Sequence, residues 1–268
     1  RISLATLPTP LLRLARLERE LGGGCQIWMK RDDLTGLEVS GNKVRKLEFI
    51  AADALAHGAD TLGTEGTCQS NHCRVTAAVC AKLGLHARLL FRPMPPAELQ
   101  GNHLMDALFG AEWRAFSREE YSADRSAIIE RNLDELRATG RKPRFTPAGA
   151  SEPLGCFGYI RAANELAGQL RQNQIDECDV IVGVSSGGTF AGLLLGKLLH
   201  EMSRVELWAT PVSDDVAFHR KEIAALCSAA ITEFGLPVRF DAGAMRFVDG
   251  YVGDGYAIPY AAALDALR

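Results

Sequence analysis

The chain lacks the features that mark several large classes of protein. Its 268 residues carry 30 Lys and Arg against 33 Asp and Glu, a net charge of −3. This balance gives no electrostatic basis for binding nucleic acid or an acidic membrane surface. The longest apolar runs, such as FAGLLLGKLL, are far shorter than the roughly 20 residues that cross a bilayer. We therefore expect no nucleic-acid partner and no membrane partner.

Cysteine is present, but not in a pattern that indicates disulfides or a metal. The seven cysteines form no CxxC pair, and an odd number in a chain of this size indicates reduced thiols and a cytoplasmic location. Cys73 and Cys80 lie seven residues apart on one face of a predicted helix, which is typical of small core residues. A metal site at His72 and Cys73 is excluded because no second pair of ligands follows at suitable spacing. No signal peptide is visible, and the start RISLATLP lacks Met, so we expect the natural start to lie upstream.

Short β-rich runs alternate with amphipathic helical segments along most of the chain. Apolar residues from Leu47 to Leu55 recur at helical spacing. Strands are predicted at CQIWMKRDD, TLGTEG, HARLLF, EWRAF, PRFTP, DVIVGV and VELWATPV. Between and after them, helices are predicted at SNHCRVTAAVCAKLG, NHLMDALFG, DRSAIIERNLDELRATG and TFAGLLLGKLLHEM, with two more beginning near Leu154 and Val216. This alternation predicts an α/β fold with a largely parallel sheet.

Two loop zones interrupt the alternation, near residues 147–158 and 241–259. We place domain boundaries near residues 46 and 147. The prediction is a smaller α/β domain over 47–146, with 1–46 and 147–268 together forming a larger one.

The run SSGGT is the first candidate for chemistry. Ser185 to Thr189 follow an apolar strand and open a helix, so backbone N–H groups and the positive end of the helix dipole converge on one point. Ser186 and Thr189 add hydroxyl donors to this predicted anion site. It is neither a P-loop nor GxGxxG, and a glycine turn that serves packing alone remains an alternative.

The run SGNKVRK places three cations, Lys43, Arg45 and Lys46, within four positions. A neighbouring cation and a helix N-terminus both disfavour a protonated lysine, which lowers the pKa of Lys43 toward the neutral amine that condenses with an aldehyde. Lys46 lies on the same face and could reach a bound phosphate. The alternative is a solvated basic start to the helix.

A third strand–turn–helix junction lies in EGTCQSNHCR. Ser70 is a good N-cap, with Asn71 and His72 in the first turn. Such a start can bind a carboxylate or a phenolate oxygen, although capping by Ser70 explains the same residues. His72 fits a hydrogen-bonded structural role better than an acid–base role. Three anion-binding helix starts and a lysine able to form an imine together suggest pyridoxal phosphate, which acts as an electron sink for a carbanion.

The runs RDDLTGLEVSGNKVRKLEF, QSNHCR and SSGGT, in this order and spacing, resemble the D-cysteine desulfhydrase and 1-aminocyclopropane-1-carboxylate deaminase family. LATLPTPL, QGNHLMDALFGAEW, GRKPRFTPAGASEPLGCFGYIRAANEL and DGYVGDGYAIP extend the resemblance through nearly the whole chain. It implies a pyridoxal 5'-phosphate enzyme of fold type II, a two-domain, three-layer α/β/α architecture similar to tryptophan synthase β, and a homodimer acting on a small amino acid.

The resemblance implies a role for each matching residue. Lys43 is the Schiff-base lysine. The phosphate is held by Lys46 together with Ser186, Gly187, Gly188 and Thr189. Asn71 bonds the ring hydroxyl oxygen, Ser70 contacts the substrate carboxylate, Asn42 shapes the cofactor pocket, and Tyr251 lies near the substrate.

The chain departs from the family pattern in three places. Ser185 replaces a usual glycine, Cys68 replaces Ile or Ala, and the sequence stops at ALDALR. Relatives continue there into a segment with a second active-site Tyr and the partner of the pyridine nitrogen, so we expect either that the sequence omits this segment or that the ring is tuned differently.

The resemblance favours α,β-elimination of D-cysteine to hydrogen sulfide, ammonia and pyruvate, with Lys43 abstracting the Cα proton. Because LTGLEVSGNK is closer to the desulfhydrases, deamination of aminocyclopropane carboxylate is the second interpretation, and a sulfo-lyase acting on cysteate is the third. A cofactor-binding protein without turnover and a nucleotide-binding α/β domain are the alternatives outside this enzyme class.

Overall fold

The structure is a computed structural model that describes residues 1–36, 38–256 and 258–266. Leu37 in the SGNK region, Ala257 in the second loop zone and residues 267–268 at the end of the predicted larger domain lie outside the described residues. The chain divides into two compact units, Arg1–Ala150 and Ser151–Arg268. The predicted boundary near 147 lies close to this division.

Residues 1–46 are grouped with the first unit, whereas the sequence analysis joined them to the C-terminal segment. Hydrogen bonds explain this grouping. Glu48 accepts from the backbone amides of Leu4 and Ala5, at 2.9 and 3.1 Å. Arg74 donates to the carbonyl of Ser40 at 2.8 Å. The assignment of 1–46 to the larger domain stays a prediction.

The first unit contains a parallel sheet and an antiparallel pair of short strands. Its strands are β1 (Leu11–Arg13), β2 (Trp28–Lys30), β3 (Thr61–Gly66), β4 (His86–Phe91), β5 (Glu112–Ala115) and β6 (Pro143–Phe145). Its helices are α1 (Ala15–Glu20), α2 (Lys43–Ala56), α3 (Asn71–Leu83), α4 (Gly101–Leu108) and α5 (Arg118–Ala138). Strands β1 and β2 pair antiparallel, and the parallel sheet has the order β5-β4-β3-β6.

Strand β3 is the centre of this unit. Its first five residues are buried, as expected for a parallel strand covered on both faces. Helix α3 follows it directly and ends at Gly84, whose left-handed φ of 70° closes the helix. Because β3 is parallel to both neighbours, its carboxyl end and the start of α3 form one edge of the sheet, where α/β folds place their ligands.

The described part of the second unit, residues 151–256 and 258–266, holds a three-stranded parallel sheet and four helices. Its strands are β7 (Cys178–Val184), β8 (Val205–Pro211) and β9 (Arg246–Phe247), in the order β7-β8-β9. Its helices are α6 (Pro153–Gln172), α7 (Gly188–Leu199), α8 (Val216–Phe234) and α9 (Ala261–Ala266). Helices α6 and α7 pack closely because α7 presents two glycines to α6. A Cβ at Gly192 or Gly196 would lie within 2.5 Å of α6 atoms.

The predicted α/β fold with largely parallel sheets is confirmed, and the predicted strands and helices are found. The two loop zones were predicted less well. Helix α6 begins at Pro153, inside the first zone, because Pro at the first helical position suits a helix start. Strand β9 lies in the second zone, parallel to β8. No helix within the described ranges is long and apolar enough to span a membrane.

Candidate active site

Lys43 is the first residue of α2, and Asn42 is its N-cap residue. Burial lowers the pKa of Lys43 from 10.5 to about 8. The direction agrees with the sequence prediction, but the cause is loss of solvent rather than a neighbouring cation. At neutral pH a substantial minority of the Lys43 amine is therefore uncharged, which is the form that attacks a carbonyl.

Arg45 is one of the three crowded cations, and its role is structural. Its guanidinium is 1% exposed and donates to Asp32 at 2.7 and 2.9 Å and to Thr9 Oγ1 at 3.0 Å. A bidentate pair of this kind fixes the guanidinium plane. Arg45 thus anchors the start of α2 to the 3₁₀ turn Asp32–Leu34.

Lys46 is fully buried, and its Nζ donates to the carbonyl of Gly149 at 3.0 Å. Gly149 belongs to the 3₁₀ turn Ala148–Ala150, which also lies in the first unit. A second bond holds this turn, from the amide of Ala148 to Glu65 at 3.4 Å. Phosphate contact by Lys46 remains a prediction.

The junction between β3 and α3 places Ser70 at the N-cap. Ser70 Oγ accepts from the amides of His72 and Cys73, at 3.1 and 3.3 Å. The hydroxyl therefore caps the helix as predicted and keeps its own proton for a further acceptor. Gly66 permits this arrangement, because a Cβ there would lie 2.9 Å from Ser70 Cβ and 2.8 Å from Cys73 Sγ.

Asn71 is exposed, and its side-chain oxygen is bound by Asn102 on α4. Asn102 Nδ2 donates to Asn71 Oδ1 at 3.0 Å and to the carbonyl of Gln69 at 2.8 Å. With its oxygen engaged, the Asn71 amide presents its NH₂ group to a ligand. A donor in this place suits a phenolate oxygen. Sequence reasoning missed Asn102, although it lies in QGNHLMDALFGAEW, a run that carried the resemblance.

His72 is buried, and its Nε2 lies 2.8 Å from Thr64 Oγ1. The Thr64 hydroxyl donates in turn to the carbonyl of Thr146 at 2.8 Å. Burial, with Lys43 and Lys46 nearby, holds the pKa of His72 well below its ordinary value. A neutral, hydrogen-bonded ring fits the structural role that the sequence favoured.

The second unit contributes the turn between β7 and α7. Gly187 is the N-cap of α7 in the left-handed region, at φ 79°, and no side chain of the turn caps the helix. Instead, Ser151 Oγ accepts from the amide of Gly188 at 3.1 Å and lies 2.8 Å from Ser186 Oγ. Two hydroxyls and a helix N-terminus thus meet at one point, which suits an anion.

Ser151 was missed by the sequence analysis. It lies in the predicted loop zone 147–158, and only its position just before α6 sets it apart from other loop serines. Tyr251, by contrast, was predicted to lie near the substrate. It follows β9, and its side chain is 56% exposed, so its role stays a prediction.

The structure brings the predicted residues together in two groups. In the first unit α2 packs against α3, and Lys43 and Lys46 of α2 lie near His72, which follows Ser70 and Asn71 at the start of α3. In the second unit Ser186 to Thr189 form one turn. These groups fit pyridoxal phosphate in kind: an amine of lowered pKa for its aldehyde, an amide NH₂ for its phenolate and a helix N-terminus for its phosphate. Among the residues that the structure describes, no group of three or more His, Cys, Asp or Glu could hold a metal.

Comparison with known proteins identifies the family. Residues 2–268 match the family model of the pyridoxal-phosphate dependent enzymes. The chain is 40% identical over 273 residues to the D-cysteine desulfhydrase of Salmonella paratyphi B, which covers all of this chain and 80% of that protein. It is 44% identical over 199 residues to a Pyrococcus abyssi protein provisionally named 1-aminocyclopropane-1-carboxylate deaminase. That alignment covers 74% of this chain and 59% of the archaeal protein.

Solved structures support the same family assignment. A crystal structure of an ACC deaminase homologue is 34% identical, with a TM-score of 0.81 that covers 94% of this chain and 74% of that one. An L-serine ammonia-lyase from Rhizomucor miehei, 20% identical with a TM-score of 0.61 over 83% of this chain and 65% of that one, shares the fold alone. The chain belongs to the pyridoxal-phosphate dependent enzyme family and has its fold type II architecture.

Proposed function

We propose that the protein catalyses the pyridoxal-phosphate-dependent α,β-elimination of D-cysteine to hydrogen sulfide, ammonia and pyruvate. The observation that carries the proposal is Lys43, an amine with a pKa of about 8 at the start of a helix. The family match over residues 2–268 and the 40% identity to a D-cysteine desulfhydrase support it.

We propose the following roles for the chain's own residues. Lys43 Nζ would hold the cofactor through its aldehyde, and its neutral amine would take the proton from the substrate Cα. The bound cofactor supplies an electron sink for the resulting carbanion. The Ser70 hydroxyl donates to the substrate carboxylate, since it accepts from two backbone amides and keeps its own proton.

The remaining residues hold the cofactor in this proposal. Asn71 donates its NH₂ group to the ring hydroxyl oxygen, and Asn42 shapes the pocket around it. Ser186 to Thr189 and Lys46 take the phosphate. Tyr251 is proposed to lie near the leaving group, on the strength of the resemblance alone.

A second candidate is deamination of 1-aminocyclopropane-1-carboxylate, which the 44% identity to the Pyrococcus abyssi protein favours. Lys43 would hold the cofactor in that reaction too, but aminocyclopropane carboxylate has no hydrogen on Cα, so its chemistry requires opening of the ring rather than removal of a Cα proton. Elimination of sulfite from cysteate differs from the proposed reaction only in the leaving group on Cβ. A cofactor-binding protein without turnover is the alternative outside catalysis.

Borohydride trapping followed by peptide mapping tests the role of Lys43. A pyridoxyl label on the peptide that contains Lys43 is expected, together with visible absorbance that Lys43→Ala abolishes. Lys82→Ala, an exposed lysine on α3, should keep both. A label on any other lysine would overturn the assignment.

Ammonia release from D-cysteine, L-cysteine, cysteate and aminocyclopropane carboxylate tests the substrate, because all four reactions give ammonia, whereas only the first three give pyruvate and the cyclopropane gives 2-oxobutanoate. The proposal predicts the highest kcat/KM for D-cysteine. A higher value for aminocyclopropane carboxylate would favour the second candidate, and no ammonia from any of the four with a cofactor-loaded protein would favour the non-enzyme alternative.

We also propose a cytoplasmic homodimer. The resemblance to the desulfhydrase and deaminase family and the free state of all seven cysteines support it. Light scattering coupled to size-exclusion chromatography should give a mass near twice 29.0 kDa, and a monomer mass would contradict the dimer.

A further inference from the structure

Arg74 holds the loop that leads into Lys43. It lies on α3, four residues after the Ser70 cap, and is 8% exposed. Its Nη1 donates to the carbonyl of Glu38 at 2.5 Å, and its Nη2 donates to the carbonyl of Ser40 at 2.8 Å. One guanidinium therefore ties the helix of the proposed carboxylate site to the segment just before the proposed cofactor lysine.

The hydroxyl of Thr35 also holds this loop. Thr35, which is fully buried, uses Oγ1 to accept from the amide of Gly41 and to donate to its carbonyl, both at 2.9 Å. Gly41 has φ 105°, which favours glycine. Thr35 and Arg74 thus hold consecutive parts of the loop, and Lys43 follows two residues later.

Burying the Arg74 guanidinium removes a charge from water, which is costly unless nearby groups compensate for it. Asp106 on α4 provides partial compensation. It is fully buried and neither of its oxygens has a hydrogen-bond partner within the described ranges. Burial raises its pKa to about 7, and Arg74 opposes that rise. The guanidinium is therefore placed for the two carbonyls rather than for a strong ion pair.

We propose that Arg74 is a positioning residue for Lys43: by binding the carbonyls of Glu38 and Ser40, it fixes the segment that leads into the lysine and so holds the amine in a place with little access to water. This inference rests on the proposed function only in calling Lys43 the cofactor lysine. A planar fork can bind two carbonyls at once, whereas a lysine ammonium cannot reproduce that geometry.

Direct measurement on the apoprotein tests the proposal without the cofactor. Competitive acetylation of Lys43 from pH 6 to 11, followed by mass spectrometry, reports the pKa of the amine. Lys43 and Lys46 both help to hold the pKa of His72 on α3 well below its ordinary value, and at Lys43 itself burial is the cause of the lowered pKa. The measured pKa therefore reports chiefly how well water is excluded.

Arg74→Lys keeps the charge beside Asp106 but loses the fork. We expect it to raise the pKa of Lys43 by about one unit toward 10.5, which reduces the neutral fraction at pH 7 about tenfold. Lys82→Ala is the matched control. It also lies on α3 and reaches Glu38, but through an exposed side-chain pair at 3.4 Å, and it should leave the pKa unchanged.

An unchanged pKa of Lys43 in folded Arg74→Lys would overturn the proposal. Hydrogen exchange on the unaltered protein gives a test that needs no variant. The amides of residues 38–42 should exchange at least about tenfold more slowly than in an unfolded chain; exchange at the unfolded rate in the native protein would also overturn it. Neither outcome depends on whether D-cysteine is the substrate.

Discussion

The two strand–turn–helix junctions, β3–α3 and β7–α7, both contain serine just before the helix, but they cap the first backbone amides of the helix in different ways. At β3–α3 the helix caps itself, because Ser70 Oγ accepts from two amides of the first turn. At β7–α7 the N-cap is Gly187, which has no side chain, and the hydroxyl comes from Ser151 outside the turn.

This difference agrees with the different ligands proposed for the two junctions. A self-capped helix has fewer amides to offer, so Ser70 contributes one donor hydrogen, enough to orient a small carboxylate. A helix start built on glycine allows close approach to its backbone, which a bulky, doubly charged phosphate needs.

Ser70→Ala should remove the donor at β3–α3. A hydrogen bond to a charged group contributes about 1.5–3 kcal/mol, so KM for the amino-acid substrate should rise roughly 10- to 100-fold, while cofactor affinity stays unchanged. Steady-state kinetics and absorbance titration measure the two quantities.

Ser117→Ala is the control for lost capping. Ser117 caps α5 in the same way, within a capping box, and its loss should lower the free energy of unfolding by about 1 kcal/mol without changing KM. Equal KM values in both variants would mean that the carboxylate binds elsewhere.

Gly187→Ala should weaken cofactor binding at β7–α7. Its φ of 79° is strained for alanine, and the added Cβ would lie 3.1 Å from Ile223 Cγ1. A strain of about 1–2 kcal/mol should raise the Kd for pyridoxal phosphate about 5- to 30-fold, measured by absorbance titration of the apoprotein.

Gly235→Ala carries similar strain in the same unit, since Gly235 ends α8 at φ 58° with no atom within 4 Å of the added Cβ. It should lower stability and leave the Kd unchanged. If it weakens cofactor binding as much as Gly187→Ala does, general destabilisation explains both results.

Much of this comparison could be predicted from the sequence. Local signals were sufficient for Ser70, because an N-cap serine before an apolar helix has a recognisable pattern. The glycine pair after DVIVGV was a local signal as well, because two glycines between an apolar strand and an apolar helix indicate a turn. Burial of Lys43 was not visible in this way, and the lowered pKa was predicted from a neighbouring cation instead.

The residues that were missed act across long sequence separations. Ser151 reaches Gly188 over 37 residues, and Asn102 reaches Asn71 over 31. Nothing in the neighbourhood of either residue marks such a pairing, because it depends on how helices and strands pack. The carbonyl of Gly149, which accepts from Lys46 103 residues away, is a similar case.

The pH dependence of cofactor capture should separate Lys43 from both junctions. Because burial lowers its pKa to about 8, the neutral amine increases as pH rises through that value. The rate of capture, measured by stopped-flow absorbance, should increase about tenfold from pH 7 to pH 9. Butylamine, a free amine, serves as the reference that corrects for the pH dependence of pyridoxal phosphate itself. The midpoint should be the same in Ser70→Ala and Gly187→Ala. A midpoint near 10 in the unaltered protein would show that Lys43 is solvated.

Ser151→Ala is expected to have the smallest effect, and it tests the asymmetry between the junctions most directly. Ser151 Oγ touches the Gly188 amide and the Ser186 hydroxyl, and a neutral hydrogen bond contributes about 1 kcal/mol. The Kd for pyridoxal phosphate should therefore rise about three- to fivefold, with KM unchanged. Ser213→Ala, which removes an exposed hydroxyl 3.3 Å from Ser185 Oγ, should leave both constants unchanged. If Ser151→Ala leaves the Kd unchanged or lowers it, the Ser151 hydroxyl only caps α7, as Ser70 caps α3. The proposed difference between the two junctions in ligand binding would then be wrong.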